Sequence, residues 1–438
     1  MPANTVWYRP LKNAGVLAIG RGAKGLLSLA YTALAARALG VEAFGMLVLL
    51  HGLIFTITEL ARFKSWQAVM KYGATYIENR DVNRLSHLLS FAFRLDLLSA
   101  AIALLVFNLG LETLSGFVGL PPTLNEIIHN YSLLVIFLAL SSCPLGILRL
   151  LDRHDLISWH TVVEAVVRFI GAGLLFLLDG SLTMFVTVWF IATALSRLFV
   201  GFAAFRLLGE FSFIPPADVF LASKLELPKG SWRFVMGTHL ISSLNLNNTH
   251  LGVLLTGALL GPVAAGYYRV AHQFGNILSK PTTKLLVPAI YTDIVELTAR
   301  RDTVKREIVV FRSIWVATAT ALGLFSLLVV AGEWLIGAIV GAEFTTSYPT
   351  MLALAAAGLL GVLVFPLEPL LISVGRIREV LVSRAIAMAA YLCALHSFVL
   401  AHGLIGAGMA ALIAACVTSG LFWIFGSRAL RSTVIRGG

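Results

Sequence analysis

Apolar runs as long as a bilayer is thick recur along the whole of this chain, and few folds accommodate that. A membrane-spanning helix takes about 20 apolar residues. Such runs lie near 14–38, 44–61, 88–110, 130–151, 156–178 and 183–206, and again near 234–259, 264–281, 309–331, 350–374, 380–400 and 404–426. Only short polar segments remain between them. The chain therefore reads as an all-α polytopic membrane protein with twelve transmembrane helices. Its 13% charged residues, against about 25% in soluble domains, exclude an ordinary soluble fold. Residues 1–13 are polar, and Arg21 and Lys24 interrupt the first run, so no signal peptide is expected. Cys143, Cys393 and Cys416 all fall in apolar runs without metal-ligand spacing. They say nothing about disulfides, and no metal site or cofactor is expected.

The loop charges give the orientation. Segments 62–87, 149–155, 206–233, 280–308 and 375–384, with both termini, carry nearly all the Lys and Arg. The alternate loops, near 39–43, 111–129, 179–182, 260–263, 332–349 and 401–403, carry none. Basic loops stay in the cytoplasm, so both termini are expected there. The net charge of +11 is then an orientation signal, and no nucleic-acid partner is expected.

Within the first run, Arg21, Lys24, Ser28 and Thr32 recur at helical spacing on one side of a helix. Charges inside a span usually face a partner or a water-filled path. Lys24 lies about 15 Å into the run at 1.5 Å per residue, deep for a side chain that only snorkels back to the headgroups. The stripe is expected to line a polar cavity.

The second half repeats the first. A shift of 221 residues places Leu39-Gly40 on Leu260-Gly261, Gly45 on Gly266, His51 on His272, Arg80-Asp81 on Arg301-Asp302 and Arg84 on Lys305. Pro144 and Pro366 match one residue later. Six spans per half preserve polarity, so two six-helix bundles related by a pseudo-two-fold along the membrane normal are expected. Their bounds are 1–208 and 233–438, joined by a cytoplasmic linker at 209–232. At the same shift Arg21, Lys24 and Ser28 fall on Ser242, Asn245 and Thr249. One helical face is thus polar in both halves and cationic only in the first. Arg269, His272, Gln273, Asn276 and Ser279 add a second stripe in the eighth run. The candidate substrate-binding set is Arg21, Lys24, Ser28, His51, Ser242, Asn245, Thr249, Arg269, His272 and Asn276. Hydrogen-bonding glue between packed helices is the plainer role for the neutral members. Buried structural histidines are the plainer role for His51 and His272.

Other features mark the helices themselves. Gly40 and Gly45 bracket a tight outer turn, and residues around Arg80, Asp81 and Arg84 form an amphipathic stretch. Ser141, Ser142, Cys143 and Pro144 predict a kink. Glu164 and Arg168, four apart, predict an internal ion pair, and Asp96 lies close to Arg94, two residues away.

The stretch AARALGVEAFGMLVLL at 35–50 resembles the signature of bacterial polysaccharide-biosynthesis exporters, the O-antigen and exopolysaccharide flippases of the multidrug/oligosaccharidyl-lipid/polysaccharide superfamily. Arg37, Leu39, Gly40, Phe44 and Gly45 carry the resemblance, and length and span count extend it over the whole chain. The second copy, Gly261 to Gly266, lacks the Arg and Phe. The resemblance implies two V-related bundles, with spans one, two, seven and eight around a central cavity. It also implies movement of an undecaprenyl-diphosphate-linked oligosaccharide from the cytoplasmic to the periplasmic leaflet of the inner membrane by alternating access. Implied partners are the lipid-linked oligosaccharide, the membrane, a coupling ion (H+ or Na+), and a polysaccharide polymerase and glycosyltransferases.

Cations suit such a substrate, because Lys and Arg replace the water of a diphosphate. An ion-coupled drug or cation antiporter of the same superfamily is the alternative, and it needs cavity carboxylates. Glu59, Asp96, Glu164 and Glu368 are scattered, and the first three lie close to Arg62, Arg94 and Arg168. A membrane-embedded polymerase or glycosyltransferase needs a larger outer loop with catalytic groups than 111–129 or 332–349 supplies. The chain is therefore not expected to be an enzyme.

Overall fold

The structure is a computed structural model. It describes the backbone of residues 4–212, 228, 230–244, 248–299 and 302–435, and side chains within 22, 24–210, 228, 230–240, 250–276, 290, 294, 296–297, 302 and 304–430. The described residues are almost wholly helical, and none of them forms a strand. That follows from the solvent, since hydrocarbon offers no hydrogen bonds and each span must satisfy its own backbone. Among the described residues, nine helical stretches are long and apolar enough to cross a membrane. The first of them, Lys24–Ala61, contains the second apolar run of the sequence and part of the first, which is one reason the number is below twelve. The chain is a multi-pass membrane protein.

Internal contacts divide the chain into two units, Met1–Leu251 and Gly252–Gly438. The first unit begins with α1 (Asn4–Ala61), which is broken at Gly40, where φ is 70° and ψ 177°. A side chain rarely tolerates that φ. The expected turn therefore needs Gly40 alone, and Gly45 lies in the continuing helix. Next comes α2 (Ser65–Glu78). The expected amphipathic stretch around Arg80, Asp81 and Arg84 follows it, with Arg84 exposed and Leu85, Leu88 and Leu89 buried. Arg80 and Asp81 form the turn after α2, and Asp81 caps α3 (Val82–Phe117) by accepting the Arg84 N–H at 3.0 Å.

The fourth span breaks where its serines and proline stand. It runs through α4 (Asn125–Ser132), α5 (Leu134–Leu140) and α6 (Ser142–Leu150). Pro144 has no N–H to return to the preceding turn, and the Ser141 hydroxyl donates to Leu138 O at 2.8 Å. Two further helices, α7 (His154–Leu177) and α8 (Leu182–Ser212), bring in the fifth and sixth spans. A close approach fixes α2 on α6, because a Cβ at Gly146 would lie 3.0 Å from Trp66 Cα. Val69, Leu85, Leu89, Cys143, Ile147 and Val200 fill the core around that contact. Most of the expected linker, 209–232, lies outside the described residues.

The second unit uses the same devices in the same order. The helix Pro262–Ala299 follows Gly261, whose φ is 86°. Asp302 caps Thr303–Ile339 by accepting the Lys305 N–H at 3.1 Å. The expected cytoplasmic loop 280–308 is therefore mostly helix. Hydropathy marks where the bilayer ends, and Lys and Arg are good helix formers beyond it. Left-handed backbone positions recur as the pairs Gly40/Gly261, Gly119/Gly341, Asp152/Gly375 and Asp179/Gly403, at separations growing from 221 to 224. The local backbone of the first unit is thus repeated in the second, with small insertions.

Candidate functional site

Inside the first unit, the polar stripe of α1 meets a charged cluster from α7 and α8. Glu164 Oε1 pairs with Arg168 Nη2 at 2.9 Å, and both side chains are nearly buried. The i,i+4 pair expected from the sequence is present. Arg168 also donates to Thr193 Oγ1 at 2.8 Å and reaches the Tyr31 hydroxyl at 3.4 Å. Its guanidinium lies between two aromatic rings, 5.6 Å from the centroid of Tyr31 and 5.5 Å from that of Trp189. Arg197 approaches the other Glu164 oxygen at 4.0 Å and His160 Nε2 at 3.5 Å. Ser28 Oγ donates to the Tyr31 hydroxyl at 3.2 Å. Lys24 is exposed, yet it acts electrostatically on both Glu164 and His160.

A second cluster sits at the end of α1. Glu59 accepts from both Arg62 and Lys64. Arg62 also donates to Leu138 O at 3.3 Å. Burial, with Arg62 alongside, pulls the Lys64 ammonium below the ordinary lysine range, against the opposing pull of Glu59. Arg197 acts on Glu59 and Arg62 as well as on Glu164, which joins the two clusters electrostatically. Together they hold Lys24, Arg62, Lys64, Arg168 and Arg197 against Glu59 and Glu164, an excess of positive charge. Apolar surroundings strengthen the field of such an excess on any anion that enters.

Asp96 departs from expectation. It is fully buried, and its oxygens accept from Ser65 Oγ and from the Cys143 N–H, both at 2.6 Å. Arg94, its neighbour in sequence, is exposed. Residues two apart on a helix point to different sides. Asp96 instead ties the start of α2 to the start of α6. Ser65 Oγ extends the joint to Ser142 Oγ at 2.9 Å.

His51 contacts the buried Tyr131 hydroxyl through Nδ1 at 2.7 Å, and its ring lies against Phe55 and His250. In the second unit, Asn276 Nδ2 donates to His272 O at 2.6 Å and touches the His272 ring, and Arg269 is half-buried on the same helix. The structure thus brings Lys24 and Ser28 to one cluster and pairs His272 with Asn276. The side chains of Arg21, Ser242, Asn245 and Thr249 lie outside the described residues. Sequence reasoning missed Tyr31, His160, Trp189 and Thr193 as members of the cluster. For Tyr31 a signal existed, because it stands three residues after Ser28.

The polysaccharide biosynthesis protein family model matches residues 10–291. The chain belongs to this family. A relative, inner membrane protein YghQ of Escherichia coli (strain K12), is 26% identical over 290 residues, covering 66% of this chain and 81% of the relative. Among solved structures, the inward-facing conformation of a multidrug resistance MATE family transporter of the MOP superfamily aligns with a TM-score of 0.79 at 13% identity, over 95% of this chain and 96% of the other. A MOP superfamily transporter from Pyrococcus furiosus, described as having a binding pocket of reverse polarity that suggests a different function, aligns with a TM-score of 0.68 at 13% identity, over 97% and 96%. This polysaccharide biosynthesis protein therefore has the fold of MOP superfamily transporters.

Proposed function

We propose that the protein is a flippase. It moves an undecaprenyl-diphosphate-linked oligosaccharide repeat unit from the cytoplasmic to the periplasmic leaflet of the inner membrane by alternating access, for O-antigen or exopolysaccharide synthesis. The observation that carries this reading is the surplus of cations inside the first unit, where Lys24, Arg168 and Arg197 surround Glu164. A diphosphate leaving water needs such partners, and guanidinium groups grip its oxygens in pairs. Family membership and the inner-membrane relative agree with this substrate and place.

In this reading the chain has twelve spans and two six-helix bundles, 1–208 and 233–438, related by a pseudo-two-fold along the membrane normal. A cytoplasmic linker covers 209–232, and both termini are cytoplasmic. Arg21, Lys24, Ser28, His51, Ser242, Asn245, Thr249, Arg269, His272 and Asn276 face the substrate path. H+ or Na+ drives the cycle, and a polymerase and glycosyltransferases act before and after it.

The fold also fits a drug or cation antiporter, as in the MATE neighbours. Charge separates the two readings, because a cation carrier needs free carboxylates and here Glu59 and Glu164 are held by Arg and Lys. The test is complementation of a strain lacking the gene. Arg197→Ala is expected to abolish surface polysaccharide with membrane protein near its normal level, and cells with the wild type are expected not to export cationic dyes. Normal polysaccharide in Arg197→Ala and Lys24→Ala cells, or dye export by the wild type, overturns the proposal.

A further inference from the structure

We propose that the ring cluster of His51, Phe55 and His250 in the first unit is a saccharide-stacking subsite, which takes a pyranose ring of the cargo by its apolar face. This deepens the flippase reading and rests on it. The three rings pack into one cluster. The centroids of His51 and Phe55 are 4.3 Å apart at 42°, and Phe55 and His250 stack at 5.5 Å and 18°. His51 and His250 lie 6.4 Å apart across it. All three are half-buried, whereas the neighbouring Tyr131 is 2% exposed.

A half-buried cluster of this make suits a sugar better than it suits lipid. Imidazole rings turned to hydrocarbon are costly, and here the polar edge of His51 points at the Tyr131 hydroxyl, 2.7 Å away. Ligand sites combine aromatic walls with a few placed polar groups. A pyranose offers the complement, with C–H groups on a face and hydroxyls at the rim.

The position on the helix names the occupant. His51, Phe55 and Glu59 follow one another at spacings of four down one side of the second half of α1, and Arg62 stands three residues on, just past its end. Phe55 lies about 10 Å along the axis from Arg62. A headgroup with its diphosphate among Arg62, Lys64 and Arg197 therefore presents its sugar to Phe55 and His51. The charged end and the aromatic end of this one helix match the two ends of a sugar diphosphate.

The experiment uses the full-length protein in nanodiscs and two probes, a C15 prenyl diphosphate and the same compound bearing one N-acetylglucosamine. The readout is the ratio of their dissociation constants. The wild type is expected to bind the sugar-bearing probe about threefold to tenfold tighter, the range that aromatic contacts supply. Phe55→Leu keeps apolar volume and removes the ring, so the ratio is expected to fall to about one. His250→Leu is expected to reduce it in the same direction, and stands in if Phe55→Leu does not reach the membrane. A ratio of one in the wild type, or a wild-type ratio in both variants, overturns the subsite while leaving the diphosphate reading intact. Binding of neither probe to the wild type overturns the flippase reading and the subsite together.

Discussion

The fifth membrane helix of the first unit, His154–Leu177, and its counterpart in the second, Ile377–His402, bury the same face and give it opposite chemistry. The turn before each is left-handed, at Asp152 and at Gly375, 223 residues apart. At that separation His160, Glu164 and Arg168 correspond to Ser383, Ala387 and Tyr391, and all six are buried. The first unit fills the space with an ion pair held by Thr193, Tyr31 and Trp189. The second fills it with a hydroxyl, a methyl and a phenol. Tyr31 itself corresponds to Gly252, where a Cβ would collide with the Tyr268 hydroxyl. The repeated backbone is thus indifferent to charge. A buried ion pair is weak evidence for stability, and the second unit shows that this scaffold packs without one. The ionic face of the first unit therefore points to function.

The largest expected effect comes from breaking the pair. Arg168→Ala removes the nearest partner of Glu164 and leaves only Arg197 at 4.0 Å, and breaking a buried pair costs about 3–5 kcal/mol. Membrane protein should fall sharply on immunoblots. The double variant Glu164→Ala/Arg168→Tyr gives the first unit the side chains of the second. It should recover membrane protein but not polysaccharide export. Normal export by the double variant would show that the difference between the units has no functional meaning.

The next comparison sets Lys24 against Asn245, its counterpart at 221 residues. Lys24→Ala should abolish export at normal protein level, and Lys24→Arg should restore part of it, since charge is kept and geometry is not. Asn245→Ala should weaken export less, because a neutral hydrogen bond contributes about 0.5–1.5 kcal/mol. Equal losses at the two positions would remove the asymmetry.

Asp96 corresponds to Ala317, which is also fully buried. Asp96→Ala leaves the Cys143 N–H without its acceptor and Ser65 Oγ with Ser142 Oγ alone, at a cost of about 1–3 kcal/mol. The melting temperature in detergent should drop accordingly, with no effect specific to one substrate. An unchanged melting temperature would mean that α2 and α6 are held without this joint.

The smallest effect tests where the units are alike. Asp81→Ala and Asp302→Ala each remove a cap of the same geometry, and hydrogen exchange at the Arg84 and Lys305 amides should rise equally. The Lys305 N–H holds the Asp302 carboxyl below the usual carboxylate range. Its capping contribution is therefore fully present above the ordinary aspartate pKa and is lost as pH falls through the lowered one. Exchange that differs between the two caps at neutral pH would show that the repeat stops at the backbone trace.

Local rules account for what was legible in the sequence. The Glu164–Arg168 pair, the break at Gly40 and the kink at Ser141–Pro144 each depend on residues within about one helical turn of one another. Asp96 shows the converse. Its true partners, Ser65 and Cys143, lie 31 and 47 residues away, and no periodicity within one helix reports them. His250 joined the ring cluster across still greater separation, so nothing near Phe55 in the sequence announced it.

By itself, the sequence determined the membrane class, the helical backbone and the order of turns in both units. Hydrocarbon admits few alternatives to the helix, and glycine, aspartate and proline act on their immediate neighbours. Only the tertiary structure decided which charges share a site. Tyr31, Glu164, Arg168, Thr193 and Arg197 come from three different stretches of helix. Whether they meet, and whether a buried cation finds a carboxylate or an aromatic ring, depends on the packing of those helices against one another.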